Sequence, residues 1–362
     1  GSDCSRAAPS SFMVTSRRAR CAFSCVQTGW QVDLFHLKSA SCKKMSSLAR
    51  FLLVSLSIAM MYIEPVVPSE DTQKENSQCV LQAVATAVSS DFVDGLQNLI
   101  GSIHAFEAGL TTIVYDLGMS SEELATVQTW QNAQVFRFPF EDLPPHVREL
   151  SNFAWKACVI KLAVEKLGCV LYLDAGMELR RPLGDVRNDL QRHGQWFVAA
   201  NMGQYIADLK IVMPGQISAL GLSEAYRERM SLAAGMQGWC QNHSAWTAVF
   251  MPWWACSLRH ECISPPGSNT DNHRFDQSAL SLVVHAANDF RAAQGQAPFF
   301  IQQSLRSWFS KTMLQAKDAQ RLESHRVSLE GLFFYARRRH YPKPFAQFVR
   351  IAQPTCDFSG SG

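Results

Sequence analysis

The segment Cys169 to Gly176, CVLYLDAG, constrains the fold more than any other part of the chain. Five consecutive apolar or aromatic residues run straight into Asp174, then a small residue and Gly176. A strand this apolar is buried on both faces, as in a parallel sheet covered by helices on either side. In such sheets ligands collect at the carboxyl ends of the strands, so an acid there stands on the ligand edge. Asp-X-Gly is also an ordinary turn signal, and on these residues alone Asp174 reads equally as a turn former or as a site acid.

The surroundings of this strand alternate regularly from Leu81 onward. Val84 to Val88 is a short apolar strand ending at Ser89-Ser90-Asp91, and Phe92 to Phe106 carries apolar residues at helical spacing. Thr111 to Tyr115 is a second strand ending on Asp116-Leu117-Gly118. Ser120-Ser121-Glu122-Glu123 then caps a helix running to Trp130. Gln134 to Phe138 is a third strand stopped by Pro139, and Phe153 to Leu167 is an amphipathic helix stopped by Gly168. The order βαβαβαβ predicts an α/β fold with a largely parallel sheet and helices on both faces. Asp116 and Asp174 then share one sheet edge. Beyond Asp174, the segment Met177 to Leu183 ends at Pro182 and Trp196 to Ala200 is a further strand. Leu232 to Trp239, LAAGMQGW, is glycine-rich enough to bring backbone close to a ligand.

Several function classes are excluded by what the chain lacks. No Gly-X-Gly-X-X-Gly follows the first strand and no phosphate loop ends in Lys-Ser/Thr, which removes dinucleotide oxidoreductases and P-loop NTPases. No Gly-X-Ser-X-Gly elbow is present, which removes an α/β-hydrolase. With 362 residues and a net charge of +3, basic residues are scattered except in Arg337-Arg338-Arg339-His340, so no nucleic-acid partner is implied. That basic run reads as a solvated surface.

The first 70 or so residues are rich in Ser, Arg and Cys and lead into the uncharged apolar run Phe51 to Ile63, with Lys43, Lys44 and Arg50 before it and Glu64-Pro65 after it. This pattern reads as a signal peptide or short signal-anchor, with an organelle-targeting leader or a buried helix as the alternatives. The expected division is a leader over 1–47, an anchor or signal over 48–67, a stem over 68–80, an α/β domain over 81–345 and a tail over 346–362. The basic flank would leave everything after Pro68 in the lumen. Among the later cysteines, Cys256 and Cys262 flank a short polar segment that can close a small disulfide in an oxidising compartment, whereas Cys158 and Cys169 lie in apolar elements and read as core residues. No second ligand pair stands at zinc spacing. Asn242-His243-Ser244 is a glycosylation sequon, meaningful only if the chain is luminal.

Late in the chain, Asn272-His273-Arg274-Phe275-Asp276-Gln277-Ser278 opens an apolar helix from Ala279 to Ala287. Asp276 is either that helix's N-cap or part of a polar site. The order of parts, Trp155-Lys156 on a helix, LYLDAG on the next strand, AAGMQGW in the middle and HRFDQSAL late, resembles the GT-A nucleotide-sugar glycosyltransferases. Within them it is similar to a eukaryotic group of glycosyltransferase-like proteins with a strand ending in Leu-Asp-Ala-Gly and a late Arg-Phe-Asp-Gln-Ser. The likeness spans roughly residues 80 to 345.

The resemblance implies a GT-A, Rossmann-like sheet and transfer of a sugar from a nucleoside-diphosphate sugar to a hydroxyl of a glycan, protein or lipid. In metal-dependent members the strand ends in Asp-X-Asp, which holds Mn²⁺ or Mg²⁺ on the donor diphosphate. Here Asp174 matches the first acid and Gly176 stands at the second, so the cation site is weakened unless Glu178 or substrate supplies a ligand, or Arg180, Arg181 or the Arg337 cluster replaces the metal. The likeness further implies that Gly235 lines the donor sugar, that Asp276 and Gln277 orient sugar or acceptor or supply a base, and that Arg274 belongs to the donor site. Lys156 would reach phosphate unless it is a helix-surface lysine, and Asp116 would sit near the nucleoside. The implied location is the Golgi or endoplasmic reticulum membrane with a luminal domain, or secretion. The competing implication is a glycosyltransferase-like protein that binds carbohydrate or a partner and has lost transfer. A nucleotidyltransferase would need a Gly-rich, Lys/Arg-containing loop where Ser89-Ser90-Asp91 stands.

Overall fold

The computed structural model describes residues 79–199, 205–207, 211–302, 334–336 and 343–352. The leader, the apolar run at 51–63, the stem up to residue 78 and the Arg337 to His340 cluster lie outside the described residues. Among the described residues, no helix is long and apolar enough to cross a membrane.

Strands β1 (Ala83–Val88), β2 (Thr111–Asp116), β3 (Ala133–Arg137), β4 (Cys169–Leu173), β6 (Gln195–Val198), β7 (Met236–Cys240) and β8 (Ile301–Gln302) form one sheet in the order β3-β2-β1-β4-β7-β6-β8. β1 runs parallel to both β2 and β4, and β2 is parallel to β3. β7 enters antiparallel between β4 and β6, so the sheet is mixed but mostly parallel. β5 (Met177–Leu179) and β9 (Phe334–Ala336) make a separate antiparallel pair just past the end of β4. Because the chain winds outward from β1 through β2 to β3 and returns to β4 on the other side, the order reverses between β1 and β4, the place where open α/β sheets form their crevice.

Helices cover both faces, as the apolar runs require. On one side Ala83, Ala85, Val170 and Tyr172 pack with Val159, Ile160 and Ala163 of α3 (Trp155–Leu167); on the other Val84, Leu171 and Leu173 pack with Leu99 and Ile103 of α1 (Val93–Phe106) and Leu190 of α4 (Gly184–His193). The helix α2 (Ser121–Gln128) starts on the capping box its sequence announces: Ser120 Oγ accepts from Glu123 N and the Glu123 carboxylate accepts from Ser120 N. Gly168 ends α3 at φ 82°, a conformation few side chains tolerate, and turns the chain directly into β4.

Three local expectations need correction. Helix α3 begins at Trp155 rather than Phe153, because Phe153 sits in the left-handed region at φ 56°. The helix expected from Ala279 begins four residues earlier, as α6 (Phe275–Ala293), which puts Asp276 inside the first turn and makes Arg274 the N-cap residue. Cys169 is no plain core residue: β4 and β7 pair in a register that sets it opposite Cys240, and the two form a disulfide. Cys158 does stay a buried thiol, while Cys256 and Cys262 form the small disulfide their spacing allows. Residues 343–352 lie along α1, where Asn98 Oδ1 accepts from Phe345 N at 2.9 Å and His104 Nδ1 accepts from Arg350 N at 3.0 Å. A Cβ on Gly101 would meet the Phe345 carbonyl oxygen at 1.8 Å, so only glycine permits this approach.

Candidate active site

Alternation along β4 decides where its acid goes. Tyr172 and Asp174 are two residues apart and face the layer that holds α3, whereas Leu171 and Leu173 face α1. The first turn of α3 delivers Lys156 to the same point, and the first turn of α6 delivers Asp276. Lys156 Nζ lies 3.1 Å from Asp174 Oδ1 and 2.8 Å from Asp276 Oδ2, and the Tyr172 hydroxyl donates to Asp174 Oδ1 at 2.8 Å. The ammonium also sits 5.4 Å from the Phe153 ring centroid and 5.8 Å from that of Tyr172. Thus Lys156 is no helix-surface lysine but the buried hub of two carboxylates and an aromatic wall.

The electrostatics follow from burial. Lys156 is 4% exposed, and burial alone would push its ammonium down; the carboxylates of Asp174 and Asp276 outweigh that and hold it well above the ordinary lysine value. Asp276 is equally buried, and desolvation drives its carboxyl up against the opposing pull of Lys156. Burial and the neighbouring Asp174 charge raise the Tyr172 phenol well above the usual value, so it remains a donor. Asp174 differs from its partners in reach: its side chain is 41% exposed and is the part of the cluster that meets solvent.

A cavity of about 250 Å³ opens over this cluster. Lys156, Asp174, Asp276, Arg274 and Gln277 line it, with Gly235 as one wall. Gly235 is needed there: its carbonyl accepts from Asp174 N at 2.9 Å, and a Cβ would come within 2.6 Å of Asp174 Oδ2. Gln277 is steadied by donating to Ser231 Oγ at 3.0 Å, and the backbone of Asp276 is held by Trp253 of α5 (Met251–Ser257), whose indole donates to its carbonyl at 3.0 Å. His273, also lining the cavity, accepts from Met213 N through Nδ1 at 3.3 Å and donates through Nε2 to Ile263 O at 3.1 Å; burial lowers its pKa to about 4. Phe153 and Phe275 flank the cluster with rings 6.1 Å apart, both with positive φ, 56° and 42°. Left-handed backbone at two aromatic residues, costing on the order of 1 kcal/mol or more each, is the sort of strain that accumulates at sites.

Six expected residues therefore converge: Lys156, Asp174, Gly235, Arg274, Asp276 and Gln277. Asp116 does not join them. It stands on the expected sheet edge, but its Oδ1 accepts from Gly118 N at 2.8 Å and Met119 N at 2.7 Å, closing its own turn. Gly176 lies within the turn that Met177 N closes on Asp174 O, packed behind the site near Gly95. Glu178 points away as well: it is fully buried, accepts from Asn98 Nδ2 at 2.6 Å and pairs with Arg180 at 2.8 Å. Arg180 is thereby turned from the cavity, and Arg181 faces Asp185. Ala336 pairs in β-strand register with Met177, which lines the cavity.

The donor set can be tested against the divalent cation that the resemblance implies. Both carboxylates at the cavity are already turned toward one ammonium, Gly176 supplies no ligand, and Glu178 is committed elsewhere. Among the described residues there is no group of three or more His, Cys, Asp or Glu placed to hold a metal. The described residues do not fit a divalent cation at Asp174.

Tyr172 was legible but unmarked. It stands two residues before Asp174 on a strand, hence on the same face, and it is the one side chain in that run with a hydroxyl to give. Phe153 carried no such signal, since nothing in its neighbours announces a left-handed backbone.

Residues 34–161 match a family described as "Protein of unknown function (DUF1647)". No curated protein matches the chain. Among solved structures the chain is similar to the galactosyltransferase LgtC in complex with donor and acceptor sugar analogues, at 12% identity and a TM-score of 0.36, covering 75% of this chain and 84% of that one. It is also similar to mouse xyloside xylosyltransferase 1, at 10% identity and a TM-score of 0.41, covering 71% and 97%. A third likeness is to the glycosyltransferase GlyE of Streptococcus pneumoniae TIGR4, at 12% identity and a TM-score of 0.39, covering 75% and 58%. Likenesses this distant leave the chemistry to the residues themselves.

Proposed function

We propose that the protein is a glycosyltransferase that moves a sugar from a nucleoside-diphosphate sugar to a hydroxyl of a glycan, protein or lipid acceptor. It would work in the endoplasmic reticulum or Golgi, with its catalytic domain in the lumen and its N-terminal apolar run as anchor, or as a secreted form. The observation that carries the reading is the Tyr172–Asp174–Lys156–Asp276 cluster at the carboxyl end of β4, beside the reversal in strand order and open to the cavity. Asp174, held chiefly through Oδ1 by Tyr172 and Lys156 and more loosely through Oδ2 by Lys156, would accept from sugar hydroxyls with Oδ2. Arg274 would meet the diphosphate as it leaves, and the Gln277 amide would orient the transferred sugar or the acceptor. Asp276, raised by burial, would take the acceptor proton if transfer inverts.

A second reading, a carbohydrate-binding protein without transfer, is favoured by the charges lining the cavity. Lys156 and Arg274 are offset by Asp174 and Asp276, so among the described residues the lining is neutral and suits an uncharged polyol as it stands. Titration calorimetry with a panel of sugar nucleotides and the corresponding free sugars, each with and without Mn²⁺, separates the two. The enzyme reading expects a sugar nucleotide to bind below millimolar concentration, release of nucleoside diphosphate on adding acceptor, and loss of binding in Asp174→Ala. If free sugars bind and no sugar nucleotide does at millimolar concentration, transfer is ruled out.

A further inference from the structure

We propose that Asn242 carries an N-linked glycan. Asn242-His243-Ser244 is the single Asn-X-Ser/Thr sequence in the 362 residues. Asn242 is exposed in the turn after β7 and Ser244 is exposed at the first position of the helix that follows, while the residue between them is drawn inward. The His243 ring lies so close over Gly194 that a Cβ there would meet it at 2.2 Å, and its Nδ1 accepts from Ala245 N at 3.2 Å. The turn is pinned on either side by Gln241 N donating to Gly168 O at 2.7 Å and Trp246 N to His243 O at 2.9 Å. The asparagine is thus held outward on a fixed turn.

Two further observations agree. Cys240, two residues before Asn242, is bonded to Cys169, and Cys256 is bonded to Cys262; paired cysteines belong to the oxidising compartments in which such glycans are attached. The position also spares the cavity. β7 runs antiparallel to β4, with Met236 opposite Leu173 beside Asp174 and Cys240 opposite Cys169 at the other end. Asn242 therefore leaves the sheet at the edge away from the cavity, more than one strand length of about 13 Å distant, and a glycan there does not block it.

The modification is a glycosyl transfer from a lipid-diphosphate-linked oligosaccharide. Asn242 Nδ2 forms a bond to the sugar's anomeric carbon, the bond from that carbon to the diphosphate oxygen breaks, the lipid diphosphate leaves with the electron pair, and Nδ2 gives up one proton. The inference shares with the proposed activity only its compartment.

The test uses the full chain made in eukaryotic secretory cells and treated with peptide:N-glycosidase. One downward step in apparent mass on the gel is expected, together with conversion of Asn242 to Asp in the peptide mass spectrum. Asn242→Gln and Ser244→Ala should abolish the step, and Ser244→Thr should keep it. Recovery of the wild-type peptide with Asn242 unmodified overturns the inference, whether Cys256 and Cys262 in the same sample are paired or reduced. Sugar-nucleotide binding, measured on the deglycosylated protein, reads the proposed activity separately.

Discussion

Replacing Lys156 by Met removes the one cation from a cluster that leaves Asp276 4% exposed, and the consequence can be worked from that burial. With no ammonium at 2.8 Å, the Asp276 carboxylate has neither solvent nor a counter-charge, so the folded variant takes up a proton there. Against an ordinary value of 3.8, keeping that proton at pH 7 costs about 4 kcal/mol, at roughly 1.4 kcal/mol per pH unit. This agrees with the 3–5 kcal/mol typical of breaking a buried pair from one side. The sign is that of a raised carboxyl: the stability is present below the unfolded value and is lost as pH rises toward the folded one. Urea titrations followed by fluorescence, with Trp239 and Trp253 as buried reporters, should show Lys156→Met less stable than wild type by up to about 4 kcal/mol at pH 7, since burial raises Asp276 in the wild type as well, and by no more than about 1.5 kcal/mol at pH 5. Adding Asp276→Asn should restore most of the loss at pH 7. A deficit that does not change with pH, or none at pH 7, would refute a Lys156 that serves to hold Asp276 charged.

Gly235→Ala should weaken sugar-nucleotide binding at least tenfold and cost about 1–3 kcal/mol of stability, because the new methyl, 2.6 Å from Asp174 Oδ2, pushes on a carboxylate that Tyr172 and Lys156 hold in place; retained affinity by calorimetry would show that Asp174 is not held by this wall. Acid should destabilise the fold through His273, whose value falls from 6.5 to about 4 on burial: its contribution is complete above pH 6.5 and is lost as pH falls toward 4, about 3 kcal/mol in all. A His273→Asn variant should lose that part of the pH dependence in urea titrations, and an unaltered profile would assign the acid sensitivity to other groups.

How far the chain announces its own architecture depends on the range of the interaction that decides each feature. The α/β class, the parallel order from β1 to β4 and the place of Asp174 at a strand's end come from hydrophobic periodicity, capping residues and glycine stops, which act within a few residues and are written in the chain. The capping box at Ser120 and the stop at Gly168 are of this kind. What no local pattern held was the antiparallel entry of β7, which makes Cys169 a disulfide partner of Cys240 across 71 residues. Nor could it hold the start of α6 at Phe275, where tertiary packing carries a left-handed aromatic that propensity would refuse.

The same division runs through the candidate site. Asp174, Asp276, Gln277 and Gly235 stand out in the chain, Asp174 by its strand and the others by resemblance, and the cavity gathers them. Residue identity alone left Lys156 undecided between surface and site, and it suggested Glu178, Arg180 and Asp116 as contributors; Glu178 and Arg180 form a buried pair, and Asp116 closes a turn through Oδ1 outside the cavity lining. A charged side chain's role is set by the few ångströms around its tip. Lys156 became the hub because the first turns of two helices and the end of a strand, far apart in the chain, meet where water is excluded and only opposite charges can be buried together.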